Sequence, residues 1–324
     1  MKVLLVDVDS KIPNLALMKL STFHKPWDDV ELLRLGISYY PSRKHKKVID
    51  VSGYDKVYVS TIFMGSLDYI EFGGESDIIC GGTGYSLDVN LPLDISELEC
   101  DYSIYPENDS SYGFLTRGCI RDCYFCVVPK KEGWIRQVAN VCDIVMHDKT
   151  YFLDNNILAL DGHEDILQEL VDKKVKYQFK QGLDIRLISD RNAELLAQSR
   201  YIGDYTFAFD DLKFEKQITR KLELFRKHFT RVWKIRFFIY CNANQDIISD
   251  VMYRLNWCRD HDVLPYLMRD INCWESSEQD VYTDLAAYCN QPSLWKKMSL
   301  NEYIIKRFPR NVLRQEKFLS TLKY

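Results

Sequence analysis

The chain opens on short apolar runs separated by turn residues. Val3 to Val8 reads as a buried strand, interrupted by Asp7 and followed by Asp9. Pro13 suits the first turn of a helix, with Asp9 or Ser10 as its cap, and Leu15 to Phe23 continue it. Val30 to Leu35, Lys56 to Phe63 and Asp77 to Cys80 follow as strands, the last running into Gly81-Gly82-Thr83-Gly84. This pattern predicts a small doubly wound α/β sheet over residues 1–90. Residues 91–112 are acidic, contain Ser and Pro, and show no period. They are expected to form a linker across the surface of the next domain.

From Gly113 onward, strands alternate with amphipathic helices. The strands are Gly113 to Thr116, Tyr151 to Leu153, Tyr177 to Gln181, Tyr205 to Phe209, Ile235 to Tyr240 and Leu264 to Leu267. Helices start near Glu164, Asp190, Phe214 and Gln245. Six strand–helix units over residues 113–275 predict a partial parallel (β/α)6 barrel of the TIM type. Residues 276–324 complete the chain as a helical extension.

Composition changes this picture little. The chain has 324 residues, 46% hydrophobic and 28% charged, with a net charge of -4, so bulk charge does not mark a nucleic-acid binder. No apolar run is long enough to span a bilayer, and the first run is too short and too acidic for a signal peptide. A cytoplasmic location is expected. In a reducing compartment the 10 cysteines stay available as thiols for metal binding.

Three of these cysteines are clustered. Gly113-Phe-Leu-Thr-Arg-Gly-Cys119-Ile-Arg-Asp-Cys123-Tyr-Phe125-Cys126 places them at C-x3-C-x2-C spacing. A loop of this length can curl around one inorganic cluster, and three thiolates on four irons leave one iron open. A zinc site would need a fourth ligand, for which Cys142 and His147 are the downstream candidates.

The motif resembles that of the radical S-adenosylmethionine (radical SAM) superfamily, whose C-x3-C-x-aromatic-C follows the first barrel strand. Phe125 fills the aromatic slot, and the flanking Thr-Arg-Gly-Cys and Val-Val-Pro are also similar. The resemblance implies a 4Fe-4S cluster on Cys119, Cys123 and Cys126, with the open iron chelating S-adenosylmethionine. It further implies reductive cleavage to a 5′-deoxyadenosyl radical that abstracts hydrogen from a substrate, and a one-electron donor such as a flavodoxin or ferredoxin.

The resemblance also directs attention to the C-terminal ends of the barrel strands. Asp154-Asn155-Asn156 stands where the family often has a Gly-Gly-Glu stretch that holds the cofactor's amino group; an Asx turn is the plainer reading. Gln181, Asp184 and Arg186 are spaced for joint presentation, Arg as a carboxylate fork and Asp for a ribose hydroxyl; an internal Asp184–Arg186 pair is the alternative. Asp210 could bind substrate or cofactor, or Asp210 or Asp211 could cap a helix. Tyr240 and Cys241 could return a hydrogen atom to a substrate radical, although a lone strand Cys is more often packing. Met268 would lie near the adenine by analogy. Cys241, Cys258, Cys273 and Cys289 contain no C-x-x-C pair and do not read as a second cluster.

The first 90 residues resemble the Rossmann-like cobalamin-binding domain found ahead of many radical SAM barrels, through Val3-Leu-Leu-Val-Asp7, Pro13-Asn-Leu-Ala-Leu17 and Gly81-Gly82. The cobalt-ligating Asp-x-His-x-x-Gly loop is absent, and neither His24 nor His45 falls in one, so cobalamin is not expected. From Trp295 to Tyr324 there are eight Lys or Arg, with Tyr303, Phe308 and Tyr324 among them; solvated helical faces explain this better than nucleic-acid contact. Three rival functions stay open beside the radical enzyme. They are a cobalamin-dependent methyltransferase, a non-catalytic iron–sulfur electron-transfer or sensing protein, and a zinc-stabilised module.

Overall fold

A computed structural model describes residues 1–37 and 46–322, all but the side chain of Ile248. His45 and Tyr324 lie outside the described residues. The chain is mixed α/β with parallel sheets, and it divides into two compact units, Met1–Tyr151 and Phe152–Tyr324. Among the described residues no helix is long and apolar enough to cross a membrane.

The first unit begins β1 (Lys2–Asp7), α1 (Leu15–His24), β2 (Asp29–Arg34), β3 (Lys47–Asp50), β4 (Lys56–Ser60), β5 (Ile70–Gly73) and β6 (Asp77–Gly81). Four of these strands form a parallel sheet in the order β2-β1-β4-β6. In β1, Leu4 and Val6 join one core with Val8, Ile37, Ile49, Val57 and Ile70. Val3 and Leu5 join the opposite core with Leu17, Leu20 and Ile95. Burial on both faces explains why this strand reads as a continuous apolar run.

The helix cap is Asn14, not Asp9 or Ser10: its Oδ1 accepts the Leu17 N–H at 3.2 Å. Its amide also donates to Ser10 Oγ and Ser60 Oγ, each at 2.9 Å. Asp9 serves the loop after β4 instead, accepting Thr61 Oγ1 (2.9 Å), Ile62 N (2.7 Å) and Phe63 N (3.0 Å). Those bonds turn the chain away from the sheet, so the strand expected to reach Phe63 stops at Ser60. Gly82 closes the same corner at φ +96°, where a Cβ would stand 2.2 Å from the Thr61 carbonyl oxygen. The short pair β3–β5 carried no period long enough to register in the sequence.

The segment expected to be a linker packs on the first sheet. It holds α2 (Leu93–Ser96), and Leu91, Ile95, Leu98 and Ile104 lie against Val3, Leu5 and Leu17. The Tyr105 hydroxyl donates to the buried Asp7 at 2.9 Å. Asn14→Ala removes a helix cap and strands a buried hydroxyl, so a loss of about 2 kcal/mol is expected in urea unfolding.

The rest of the first unit is β7 (Ser110–Gly113), β8 (Thr116–Arg117), α3 (Val128–Glu132), β9 (Arg136–Gln137), α4 (Val141–Ile144) and β10 (Lys149–Phe152), whose last residue opens the second unit. The single strand expected at Gly113–Thr116 is two short ones, with Phe114 and Leu115 between them.

The second unit alternates α5 (His163–Asp172), β11 (Lys176–Phe179), α6 (Asp190–Gln198), β12 (Arg200–Tyr201), β13 (Tyr205–Ala208), α7 (Glu215–His228), β14 (Ile235–Cys241), α8 (Tyr253–Asp260) and β15 (Leu264–Arg269). A π-helical turn, Ile247–Met252, leads into α8. β13, β14 and β15 are parallel neighbours in that order, and β11 pairs in parallel with β12. A parallel bridge between Leu183 and Phe207 joins the two sets. Tyr177, Phe179, Phe207 and Phe237 fill the core between strands and helices. α9 (Ile271–Glu275) follows, inside the region expected to be barrel, and α10 (Gln279–Cys289), α11 (Pro292–Lys297), α12 (Leu300–Arg307) and α13 (Val312–Thr321) complete the chain, helical as the sequence predicts.

Candidate functional site

Two groups of candidate residues stand out, one in each unit. In the first unit the cysteine loop is an excursion between β8 and β9, which pair antiparallel through Thr116–Gln137 and Arg117–Arg136. The base of the excursion is tied across. Glu132 binds Arg117 Nη1 at 2.7 Å and accepts the Gly118 N–H at 2.9 Å. Cys119 N donates to the Gly133 carbonyl at 3.1 Å. Gly118 sits at φ +84°, and a Cβ there would lie 2.3 Å from the Trp134 carbonyl oxygen. The glycine before the first cysteine is therefore fixed by sterics.

Within the loop, Cys126 N donates to the Cys123 carbonyl at 2.9 Å, and Arg121 N donates to Cys119 Sγ at 3.3 Å. An N–H aimed at sulfur tunes the potential of an iron–sulfur cluster. Cys119 and Cys123 are half-buried and Cys126 is exposed. Phe125 is half-buried and meets Tyr124 edge to face at 5.3 Å, while Tyr124 and Trp134 are exposed. Three thiols on one tied loop, one already accepting an N–H, suit an iron–sulfur cluster chemically.

Among the described residues, no group of three or more His, Cys, Asp or Glu side chains is arranged to hold a single metal ion. A zinc ion draws its sulfurs to about 2.3 Å from one centre, whereas a four-iron cluster spreads its thiolates over separate corners. The downstream zinc candidates have other neighbours. The His147 ring is 3.0 Å from Ser111 Oγ and packs edge-on to Tyr102 at 4.7 Å. Cys142 is exposed, 3.5 Å from the Asp143 carboxylate.

In the second unit the candidates follow the C-terminal ends of strands. Asp154, after β10, is fully buried, and Asn155 beside it is half-buried. Gln181, after β11, is exposed. Asp184 holds Arg186 bidentately, Oδ1 to Nε at 2.7 Å and Oδ2 to Nη2 at 2.9 Å. It also caps the turn Ile185–Leu187. The internal pair thus exists, and Arg186 further stacks over Phe214 at 4.5 Å.

Asp210 and Asp211 separate cleanly. Asp211 caps the turn before α7, accepting Lys213 N at 3.0 Å. Asp210 instead accepts Tyr240 N at 3.0 Å, which joins the ends of β13 and β14. Burial raises its carboxyl to about 6, against the lowering pull of the Tyr240 N–H, Arg254 and Arg186. The raised value means that the folded state favours the protonated acid. Its stabilising effect is full below about pH 4 and is lost as pH rises to about 6. Asp210→Asn is expected to abolish that dependence, worth about 2 kcal/mol in urea unfolding at pH 4 against pH 7.

Tyr240 donates through its hydroxyl to Asp270. Asn242 Nδ2 joins them, 3.2 Å from that hydroxyl and 3.1 Å from Asp270 Oδ2. Met268 is the cross-strand partner of Tyr240 and is half-buried. Cys241 is fully buried, with Cys273 Sγ 3.9 Å from its own sulfur. Asp210, Tyr240, Cys241 and Met268 are thus brought to one edge. Cys258 and Cys289 are buried in helices, as their apolar surroundings predict.

The sequence reading missed Arg254. It is fully buried on α8, donating Nε to Asp250 at 2.6 Å and Nη1 to the Phe209 carbonyl at 2.9 Å. The i,i+4 spacing of Asp250 and Arg254 was the available signal. The basic tail is partly accounted for by structure: Arg307 and Arg314 both pair with the buried Asp284, at 3.2 and 2.9 Å. Lys317 reaches Glu278 at 3.6 Å.

No protein-family model matches the chain, and no curated protein matches its sequence.

Proposed function

We propose that the protein is a radical SAM enzyme, with the cluster on Cys119, Cys123 and Cys126. The observation that carries this reading is the tied excursion between β8 and β9, which presents C-x3-C-x2-C with an N–H already on Cys119 Sγ. The parallel strand–helix alternation of the second unit is compatible with a partial (β/α)6 barrel, and the first sheet with a Rossmann-like domain. When bound, the cluster would supply the electron that cleaves S-adenosylmethionine to a 5′-deoxyadenosyl radical.

The chain's own residues have narrower tasks. Glu132 and Gly118 hold the loop base, and Phe125 packs edge to face on Tyr124 beside Cys126. Of the residues expected to meet S-adenosylmethionine, Asn155, Gln181 and Asp184 retain exposed surface and would offer polar groups to it, whereas Asp154 is fully buried. Because Asp184 occupies the Arg186 fork, Arg186 serves to orient Asp184 unless a ligand carboxylate displaces it. Asp210, Tyr240 and Cys241 form the substrate edge, where an O–H or S–H can return a hydrogen atom.

The test is anaerobic reconstitution with iron and sulfide, followed by dithionite and S-adenosylmethionine. Formation of 5′-deoxyadenosine is expected. Iron and sulfide uptake with no 5′-deoxyadenosine under any condition would instead show a non-catalytic iron–sulfur protein. Zinc without sulfide would show a zinc module.

A further inference from the structure

The end of β14 holds a thiol pair, of which the proposed chemistry draws on Cys241 alone. Cys241 is the last residue of β14, and Cys273 lies in α9, which follows β15 directly. Their sulfurs are 3.9 Å apart, and Cys273 Sγ is also 3.3 Å from the Cys241 carbonyl oxygen. Both are buried, at 0% and 1% exposure. We propose that Cys241 and Cys273 are a redox-active dithiol that closes to an intramolecular disulfide when a peroxide oxidises it.

Backbone bonding holds the two cysteines face to face. Asp270 N donates to the Cys241 carbonyl at 2.9 Å, and Cys273 N donates to the Asp270 carbonyl at 3.0 Å. A disulfide needs its sulfurs at about 2.05 Å, so closure requires an approach of about 2 Å. A rotation of one side chain and a small shift of α9 provide it. That helix has five residues, and its Ile271 and Trp274 are exposed, so Cys273 lies one layer beneath solvent.

The pair is also unequal. The contact between the two sulfurs lowers the Cys273 thiol, while the same contact and burial raise that of Cys241. Cys273, on the short α9 beside the exposed Ile271 and Trp274, is the thiol a peroxide reaches first, and it attacks as its thiolate. Its sulfur attacks one peroxide oxygen, the O–O bond breaks, and the leaving hydroxide is protonated to water. Cys273 becomes a sulfenic acid. The Cys241 sulfur then attacks Cys273 Sγ, the S–O bond breaks, and the second oxygen leaves as water with the Cys241 proton. Two thiols and one hydrogen peroxide yield one disulfide and two waters.

The consequence is local. Asp270 caps α9 through Ile271 N and accepts the Tyr240 hydroxyl. Closure draws α9 toward β14 and moves the carboxylate that Tyr240 and Asn242 share. The inference does not rest on the cysteine loop holding a cluster.

The test uses the full chain. Native protein is treated with hydrogen peroxide, denatured in N-ethylmaleimide, digested and analysed by mass spectrometry. A Cys241–Cys273 linked peptide is expected, lighter by two hydrogens than its parts and released by dithiothreitol. The equally buried Cys258 and Cys289 should be alkylated. In Cys273→Ser, Cys241 should be recovered as its maleimide adduct after the same treatment. Recovery of both Cys241 and Cys273 as separate alkylated peptides from oxidised native protein overturns the proposal. So does linkage of either one to a different cysteine.

Discussion

Replacing any one of Cys119, Cys123 or Cys126 with Ala is expected to remove the bound iron and sulfide and to abolish 5′-deoxyadenosine formation. The three act as a unit, because a cluster with two protein ligands is both weakly held and open at a second corner. The loss should exceed about 100-fold for each, as for other groups that act as one machine. Cys142→Ala is the contrast: it is exposed on α4 and should leave iron content unchanged. Glu132→Gln should fall between them. It weakens the ion pair to Arg117 but leaves a side chain that can still accept the Gly118 N–H. Iron and sulfide analysis alongside product chromatography separates the three outcomes. Retention of full iron in all three cysteine variants would remove the basis for the proposed function.

Arg254→Ala is expected to cost about 3–5 kcal/mol in urea unfolding. The arginine is wholly buried and bridges Asp250 to the Phe209 carbonyl, and its Nη2 finds no hydrogen-bond partner among the described residues. Truncation empties the space and leaves that carbonyl unpaired. The double variant Arg254→Met with Asp250→Asn should recover much of the loss, because it removes both charges and fills the volume. Arg254→Ala should also raise the Asp210 carboxyl further, since the arginine pulls it down. The pH-dependent decline in stability assigned to Asp210 then moves to higher pH. An unchanged pH profile would show that Arg254 does not act on Asp210.

Legibility in the sequence followed how local each cause was. The cysteine spacing is contained in eight residues and needed no tertiary knowledge. Five of the six strands expected after Gly113 were read close to their observed places, because runs such as Ile235 to Cys241 are nearly all apolar and buried. Other features depend on distant partners. The strand after Lys56 ends early because Asp9, about fifty residues away in sequence, takes the next three residues. The acidic stretch from Leu91 looked like linker because its four core contacts are spread among polar residues. Arg254 reads as a solvated helix charge until Phe209 and Asp250 are seen around it. The Cys241–Cys273 approach joins residues 32 apart and has no local signature.

The place of β1 in its sheet bears on synthesis. It lies between β2 and β4, so it acquires its second neighbour only after Ser60 has been made, and the sheet is complete only at Gly81. Both sides of that strand are apolar, and during that interval they have little to cover them. At ribosomal speeds of about 5–20 residues per second, the exposure lasts several seconds. The nascent chain therefore offers a sticky edge early, and expression yield should respond to chaperone supply and growth temperature more than the finished fold's stability would suggest.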